Sequence, residues 1–386
     1  MPSSSSRGYW TVWTATLLFF VAFYTLLVPL PLYLSQVGLP DWLVGVVMGA
    51  FGVASLIARP LAGLLSDRWD RRYIMLIGAG SLFVGAAGVS LTTFPPLLFV
   101  LRLLQAIGYV AFTTAGTALV SDLAAPAERA ARLAFFGIAA NVAVTTVPAA
   151  ISATLDRLTI PGALTLAGLL AALGGGLALF VPSIRPQVSG SQPAWLELLR
   201  PPPVLLLPMA ASWLLGLGFG AYLQFVPLLA ERRGLGPAGL IYSVYGVSII
   251  LTRLVTGRRL DQGDRTPLLR AAFLIMAAGL VIFALATSMP LLLVAAACVA
   301  AGGGILHPAF IAIHVERMTT GARGRAVGFF YLGFDLGVGL GAWVLSPILQ
   351  TFGLTGMYLF AALATACGVL LVRRVALRVP AEMAAG

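Results

Sequence analysis

The sequence predicts an all-α membrane protein of twelve transmembrane helices in two pseudo-symmetric six-helix bundles, and three observations carry that expectation. Of its 386 residues, 60% are hydrophobic and 10% charged, with a mean hydropathy of +0.98; a water-soluble domain carries about 25% charged residues. Apolar runs near or above the roughly 20 residues needed to cross a bilayer recur along the whole chain. The chain also repeats itself at a shift of 194 residues.

The spans read as roughly 10–34, 42–65, 73–93, 97–120, 131–154, 162–182, 203–229, 238–257, 267–288, 290–316, 325–350 and 353–373. One basic residue, Arg7, precedes the first run, which contains Pro29 and Pro31 and lacks a small-residue cleavage site. It reads as a retained helix rather than a leader. There is no lysine, so the positive charge rests on 24 arginines. With a cytoplasmic N-terminus, 18 arginines fall on the inner side, three (Arg157, Arg232, Arg233) on the outer side, and three (Arg59, Arg102, Arg253) within spans. That asymmetry is the positive-inside signal, and it places both termini in the cytoplasm. The net charge of +11 is then a topology label and an attraction to anionic membrane lipids, with no need for nucleic acid.

The widest break, "SIRPQVSGSQPAWLELLRPP" at 183–202, reads as a cytoplasmic linker between an N-terminal bundle at 1–182 and a C-terminal bundle at 203–386. Within it, "AWLELLR" suits a short helical turn lying on the inner membrane surface. Sliding the chain by 194 residues lays "GVASLIARPLAGLLSDRWDR" (52–71) over "GVSIILTRLVTGRRLDQGDR" (246–265). Gly52, Val53, Arg59, Gly63, Asp67, Asp70 and Arg71 meet Gly246, Val247, Arg253, Gly257, Asp261, Asp264 and Arg265. Further on, Gly108 meets Gly302, Arg129 meets Arg323, and Phe135-Phe136 meet Phe329-Phe330. A parallel repeat of six spans plus six is a transporter architecture.

These residues carry a resemblance. "GLLSDRWDRR" (63–72) resembles the loop signature G-x-L-x-D-R-x-x-R-R of the major facilitator superfamily, and "RLLQAIG" (102–108) is similar to its fourth-helix R-x-x-Q motif, with Ala106 where glycine is commonest. "ARPLAG" (58–63) and "FDLGVGLG" (334–341) are similar to bacterial sugar- and drug-efflux members. The resemblance covers the whole chain and is specific for the superfamily, not for a substrate. It implies a bacterial inner-membrane location and a protein that works as a monomer.

Read physically, Gly63 suits close helix approach, and the Asp67 carboxylate can face the positive N-terminus of a neighbouring helix. Arg68, Arg71 and Arg72 can pair with it or with lipid phosphate; the bland reading is a cluster that only sets topology. The resemblance implies a conformational latch made of Gly63, Asp67, Arg68, Arg71 and Arg72, repeated at Gly257, Asp261 and Arg265.

Among thirteen acids, Asp335 alone lies inside a span, where a charge costs about 2.5–3.5 kcal/mol on the insertion scale. It stands about 15 Å along its helix, near the bilayer midplane. Gly333, Gly337 and Gly341 form a packing face, and Asp335 lies about 200° around the helix from it, on the side of Tyr331, Gly339 and Trp343. The repeat sets Asn141 at the matching depth in the fifth span. Burial raises a carboxyl pKa and a neighbouring arginine lowers it, so Asp335 is a candidate for loading and releasing a proton; the alternative is a hydrogen-bonded structural aspartate. Arg102 must find a carboxylate, carbonyls or water, or snorkel outward. Gln105 follows it on the same face, and the resemblance assigns this pair to proton coupling. His307, before Pro308 in the tenth span, is a candidate ligand for substrate or proton or a structural histidine.

Tyr24, Gln224, Tyr222, Trp213, Tyr245, Tyr331, Asn141 and Gln105 complete a candidate substrate surface that is aromatic and modestly polar. It suits an amphipathic, cationic or sugar-like solute better than a polyanion. Without lysine a P-loop G-x-x-x-x-G-K-[ST] cannot exist. H-E-x-x-H, G-x-S-x-G and paired carboxylates are also missing, so no enzyme, cofactor or metal is expected. Cys298 and Cys367 lie in apolar runs, against a disulfide scaffold. The leading expectation is a secondary active transporter moving a small-molecule substrate by alternating access, with proton-coupled efflux of a drug, sugar or metallophore-like solute foremost. Proton-coupled uptake, or facilitated diffusion of a small solute or lipid, stays open, because "NVAVTTVPAAIS" (141–152) keeps Pro148 without the glycine–proline pair common in antiporters. A non-transporting receptor or scaffold is the rival from another class.

Overall fold

The structure, a computed structural model, describes residues 3–125, 128–181, 183, 200–260, 264–318 and 323–376. Among these there is no strand. The helices are α1 (Ser3–Thr25), α2 (Pro29–Gln36), α3 (Asp41–Arg68), α4 (Arg71–Val89), α5 (Pro95–Leu123), α6 (Arg129–Leu158), α7 (Ile160–Ala178), α8 (Pro203–Arg232), α9 (Gly239–Leu260), α10 (Thr266–Leu285), α11 (Met289–Glu316), α12 (Arg323–Ala366) and α13 (Gly368–Ala376). Most of "SIRPQVSGSQPAWLELLRPP", including all of "AWLELLR" but its last residue Arg200, lies outside the described residues, as does Asp261.

Among the described residues, eleven stretches are long and apolar enough to cross a membrane, and the last, Gly324–Val375, is 52 residues long. At 1.5 Å per residue it measures about 78 Å, more than twice a hydrocarbon core of about 30 Å. Its backbone breaks at Gly353, with φ +66° and ψ −172°, a conformation that glycine adopts without steric cost. The stretch is thus two spans joined at Gly353, which matches the sequence expectation of twelve. Proline starts follow the same economy: Pro95, Pro161, Pro203, Pro267 and Pro290 sit in the first turn of their helices, where an amide N–H has no intrahelical partner.

The chain divides into two compact units. The first comprises Met1–Leu39, Val53–Pro193 and Pro237–Ser243; the second comprises Pro40–Gly52, Ala194–Gly236 and Val244–Gly386. Inside each, helices meet at glycines that the 194-residue shift carries onto one another. A Cβ on Gly108 would stand 2.7 Å from the Leu82 amide nitrogen, and one on Gly302 would stand 3.0 Å from that of Met276. A Cβ on Gly85 would stand 2.7 Å from the Leu101 carbonyl, and one on Gly279 would stand 2.8 Å from that of Ala295. Neither approach leaves room for a side chain, which is why the repeat preserves these glycines.

Two helices are shared out between the units. The start of α9 belongs to the first, where the Gly239 amide donates to Ser152 Oγ at 3.0 Å and Ser243 Oγ donates to the Thr145 carbonyl at 2.6 Å. The start of α3 belongs to the second, where Gly45 meets Ser346, and Trp343 Nε1 donates to the Val46 carbonyl at 2.9 Å. The same shift carries Gly45 onto Gly239 and Ser152 onto Ser346, so the two contacts are counterparts. Arg232 closes the α3 start with a two-pronged ion pair to Asp41, one prong at 2.7 Å. Next to it, Arg233 donates to the Phe283, Ala284 and Ala286 carbonyls at 3.0, 2.7 and 2.8 Å. It thereby caps the C-terminal carbonyls of α10, which have no partner within their own helix.

Candidate functional site

The second unit gathers most of the sequence-predicted site residues around α12. Its glycine face packs as the spacing requires. Gly333 meets the Met209 carbonyl at 2.8 Å from a notional Cβ, Gly341 meets Leu217 at 3.2 Å, and Gly337 abuts the Trp213 carbonyl, all on α8. Asp335 points away from this seam and is 6% exposed. Part of its own side is occupied too. Gly339 crosses Gly52 of α3 so closely that a Cβ on either would collide with the other's backbone, and a Cβ on Gly52 would also meet the Asp335 carbonyl at 2.5 Å. Gly339 and Trp343, expected beside an open face, are therefore spent on the α3 contact. The reason is size: only glycine against glycine lets the two backbones cross there.

Beside Asp335 runs an unbroken chain of rings. His307 on α11 stands 4.9 Å from Phe330, 5.3 Å from Phe334 and 5.9 Å from Tyr331 between centroids, at interplanar angles of 83°, 85° and 66°. Phe334 lies 5.6 Å from Phe219 of α8, which lies 6.0 Å from Tyr245 of α9, and Tyr245 stacks on Tyr222 at 4.8 Å. Four sequence-predicted residues, His307, Tyr331, Tyr245 and Tyr222, are thus joined by Phe219, Phe330 and Phe334, which sequence reasoning missed. A signal for them existed: Tyr331, Phe334 and Asp335 stand at i, i+3 and i+4 of one helix face. Gln224 is placed otherwise. Its Nε2 donates to the Val338 carbonyl at 2.8 Å across the α8–α12 seam, so the amide ties two helices together. Trp213 is half-buried, with its carbonyl against Gly337.

In the first unit the remaining candidates fall into two places. Arg102, 6% exposed, donates to Gln105 Oε1 at 2.8 Å, and the fully buried Gln105 donates to the Gly85 carbonyl at 2.8 Å. The guanidinium is held inward, not drawn to the surface. Tyr24 packs on Phe20 and Phe23, and Phe23 on Tyr109 at 4.4 Å. Asn141 is half-buried, its Nδ2 reaching the Gly137 carbonyl at 3.4 Å.

The loop signature resolves into caps and ion pairs. Asp70 accepts the Arg72 backbone N–H at 3.0 Å as N-cap of α4, pairs with the Arg72 guanidinium at 2.8 Å, and accepts the Ser183 hydroxyl. Burial pushes the Asp70 carboxyl up, but the bonds from Arg72 and Ser183 and the Arg72 charge outweigh it and hold the pKa below the ordinary 3.8. Its repeat counterpart Asp264, one residue ahead of the N-cap Arg265, accepts the Thr266 N–H at 2.9 Å at the start of α10. Arg71 pairs with Asp122 at 2.7 Å, and Arg265 pairs with Glu316 at 2.7 Å. The 194-residue shift carries Asp122 onto Glu316, so the two ion pairs are counterparts. Arg68 is exposed, and the side chain of Asp67 lies outside the described residues. At Gly63 a Cβ would meet nothing within 4 Å, so the expected close helix approach is absent there, and Gly257 is likewise outside the described side chains.

The profile of the Major Facilitator Superfamily matches residues 12–262 and 236–385. The chain belongs to this superfamily. Uncharacterized MFS-type transporters of Burkholderia mallei (strain SAVP1) and Salmonella typhimurium (strain LT2) are 26% and 25% identical to it over 349 and 362 residues. The alignments cover 87% of this chain and 84% of the first protein, and 89% of both chains for the second. Among solved structures, the nucleoside transporter NupG superposes with a TM-score of 0.81 at 15% identity, over 95% of this chain and 99% of its own. A POT family transporter in complex with 5-aminolevulinic acid superposes with a TM-score of 0.78 at 14% identity, over 96% of each chain. At such identities the likeness is one of fold: the all-α membrane fold of the superfamily.

Proposed function

We propose that this superfamily member is a secondary transporter that exports a small amphipathic solute across the bacterial inner membrane in exchange for protons, as a monomer with both termini in the cytoplasm. The observation that carries the reading is Asp335, an acid 6% exposed in the interior of an apolar helix, beside a ring-lined face and against the glycine crossing of α3 and α12. Parting the Gly52–Gly339 contact would uncover Asp335 to water, and re-forming it would cover the carboxylate again. A group exposed and shielded in turn can take a proton in one state and release it in another. Arg102 and Gln105, bonded to each other and to Gly85, fit a supporting role in the same coupling. The Arg71–Asp122 and Arg265–Glu316 pairs fit the role of cytoplasmic latches that form and break with the cycle.

Export follows from the resemblance of "ARPLAG" and "FDLGVGLG" to efflux members; the helix around Pro148, which lacks a glycine–proline pair, is the one feature that favours uptake instead. The experiment is reconstitution into liposomes loaded with a pH-sensitive dye, challenged with sugars, amphipathic drugs, siderophores and lysolipids. Solute movement accompanied by opposite proton movement supports the reading, parallel movement turns it to uptake, and no solute or proton flux from any of them sinks it in favour of a receptor or scaffold.

A further inference from the structure

We propose that the arginine-bearing ends of α1 and α6 hold one anionic phospholipid, with its phosphate on Arg7, its glycerol and ester region on Trp10, Trp13 and Phe135, and an acyl chain along α6. The proposal concerns the first unit alone and does not depend on the transport reading. Tyr9 Oη donates to the Arg132 carbonyl at 3.1 Å, and Trp13 Nε1 donates to the Phe135 carbonyl at 3.3 Å. The two helices therefore start side by side and run parallel. Trp10 is 49% and Phe135 40% exposed, and Trp13 is half-buried. Centroids stand 5.9 Å apart for Trp10 and Trp13, 5.7 Å for Trp10 and Phe135, and 5.8 Å for Trp13 and Phe135. That spacing leaves no room for a ligand between the rings and makes them one broad surface. Beyond Phe135, the exposed Ile138 and Val142 continue the same helix face at i+3 and i+7. The apolar surface thus runs about 10 Å further from the Arg7 end.

The charges at this end decide the headgroup. Arg129 Nε donates to the Ser121 carbonyl at 3.0 Å. Arg132 pairs with Glu128 at 3.1 Å and lies 4.8 Å over the Tyr9 ring. Arg7 is exposed, one helical turn ahead of Trp10 on the same side of α1, and has no carboxylate partner among the described residues. Trp10 Nε1 has no acceptor among them either. A guanidinium and an indole N–H at the head of an apolar stripe suit the phosphate and ester oxygens of a lipid whose chain lies on that stripe. A free phosphate would use Arg7 and leave the rings and the α6 stripe uncovered. A zwitterionic headgroup would bring its own cation towards Arg7, and the carboxylate that could receive it, Glu128, is already paired with Arg132.

The test is fluorescence quenching of the purified full chain in phosphatidylcholine nanodiscs that carry rising shares of brominated phosphatidylglycerol or brominated phosphatidylcholine. The quenching seen in the wild type and lost in Trp10→Phe is the Trp10 signal. Half-quenching of Trp10 should need about fivefold less phosphatidylglycerol than phosphatidylcholine, the effect of one arginine near an anionic surface. The remaining tryptophans together should show a smaller preference. Arg7→Gln should bring the Trp10 ratio down to theirs, while Arg7→Lys keeps most of it. Equal quenching of Trp10 by the two lipids, or a preference no greater than that of the remaining tryptophans, overturns the proposal. So does a preference that survives Arg7→Gln. Loss of the preference when inorganic phosphate replaces chloride at constant ionic strength would mark a free-anion site and overturn the lipid assignment. The wild-type comparison decides alone if Arg7→Gln does not fold.

Discussion

Asp335 and Asp70 are both acids with little exposure, 6% and 7%, yet their surroundings give them different work. Asp70 sits between spans and is satisfied on every side by the Arg72 backbone, the Arg72 guanidinium and Ser183. Its depressed pKa fixes the sign of a pH prediction. The stabilisation is complete above the unfolded value of about 3.8 and fades as pH falls through the lower folded value. Asp70→Asn keeps a competent N-cap but loses the charge, so it should melt below the wild type at neutral pH. The gap in Tm should hold down to about pH 4 and close below it; thermal unfolding across pH checks this. Because Asp70 is held ionised near neutrality, it is not a group that answers a physiological proton gradient.

At the scale of the element, α12 shows what spacing in a sequence can and cannot disclose. Gly333, Gly337 and Gly341 repeat every fourth residue, and a face so regular was legible as a seam before its partner was known. The Gly339 contact was not legible, because Gly52 is remote in sequence and a single glycine carries no period. Gly63 was misread for the opposite reason: its place in a familiar loop signature suggested close packing, while a Cβ there meets nothing within 4 Å. The two kinds of glycine should respond differently to substitution. Gly337→Leu forces a side chain into the Trp213 carbonyl and should destabilise by about 3 kcal/mol or more, the upper end of overpacking costs. Gly63→Ala should be neutral or stabilising by up to about 1 kcal/mol, the helix-propensity gain. Denaturation of both variants in the same detergent separates them.

For the whole molecule, the repeat was the most legible feature: hydropathy gave the spans, and the 194-residue shift matched the close-packed glycines and the ion pairs of one unit with those of the other. The ring chain was half-legible, since periodicity finds helix faces but not which faces meet. The repeat also grades its own ion pairs. Arg71 and Asp122 are 10% and 30% exposed, whereas Arg265 and Glu316 are 26% and 53% exposed. Solvent screens the second pair more, so Glu316→Gln should cost under about 1 kcal/mol, while Asp122→Asn should cost about 1–3 kcal/mol by leaving the better-buried Arg71 unpaired. Equal losses on thermal unfolding would mean that burial does not set the strength of these ion pairs. The central claim is that Asp335 carries the coupling proton. Its most direct test is transport by Asp335→Asn proteoliposomes, using a solute the wild-type chain moves, between about pH 5.5 and about pH 8. The account predicts that solute-for-solute exchange persists while accumulation driven by a proton gradient is lost. Wild-type accumulation by Asp335→Asn across that range would contradict it.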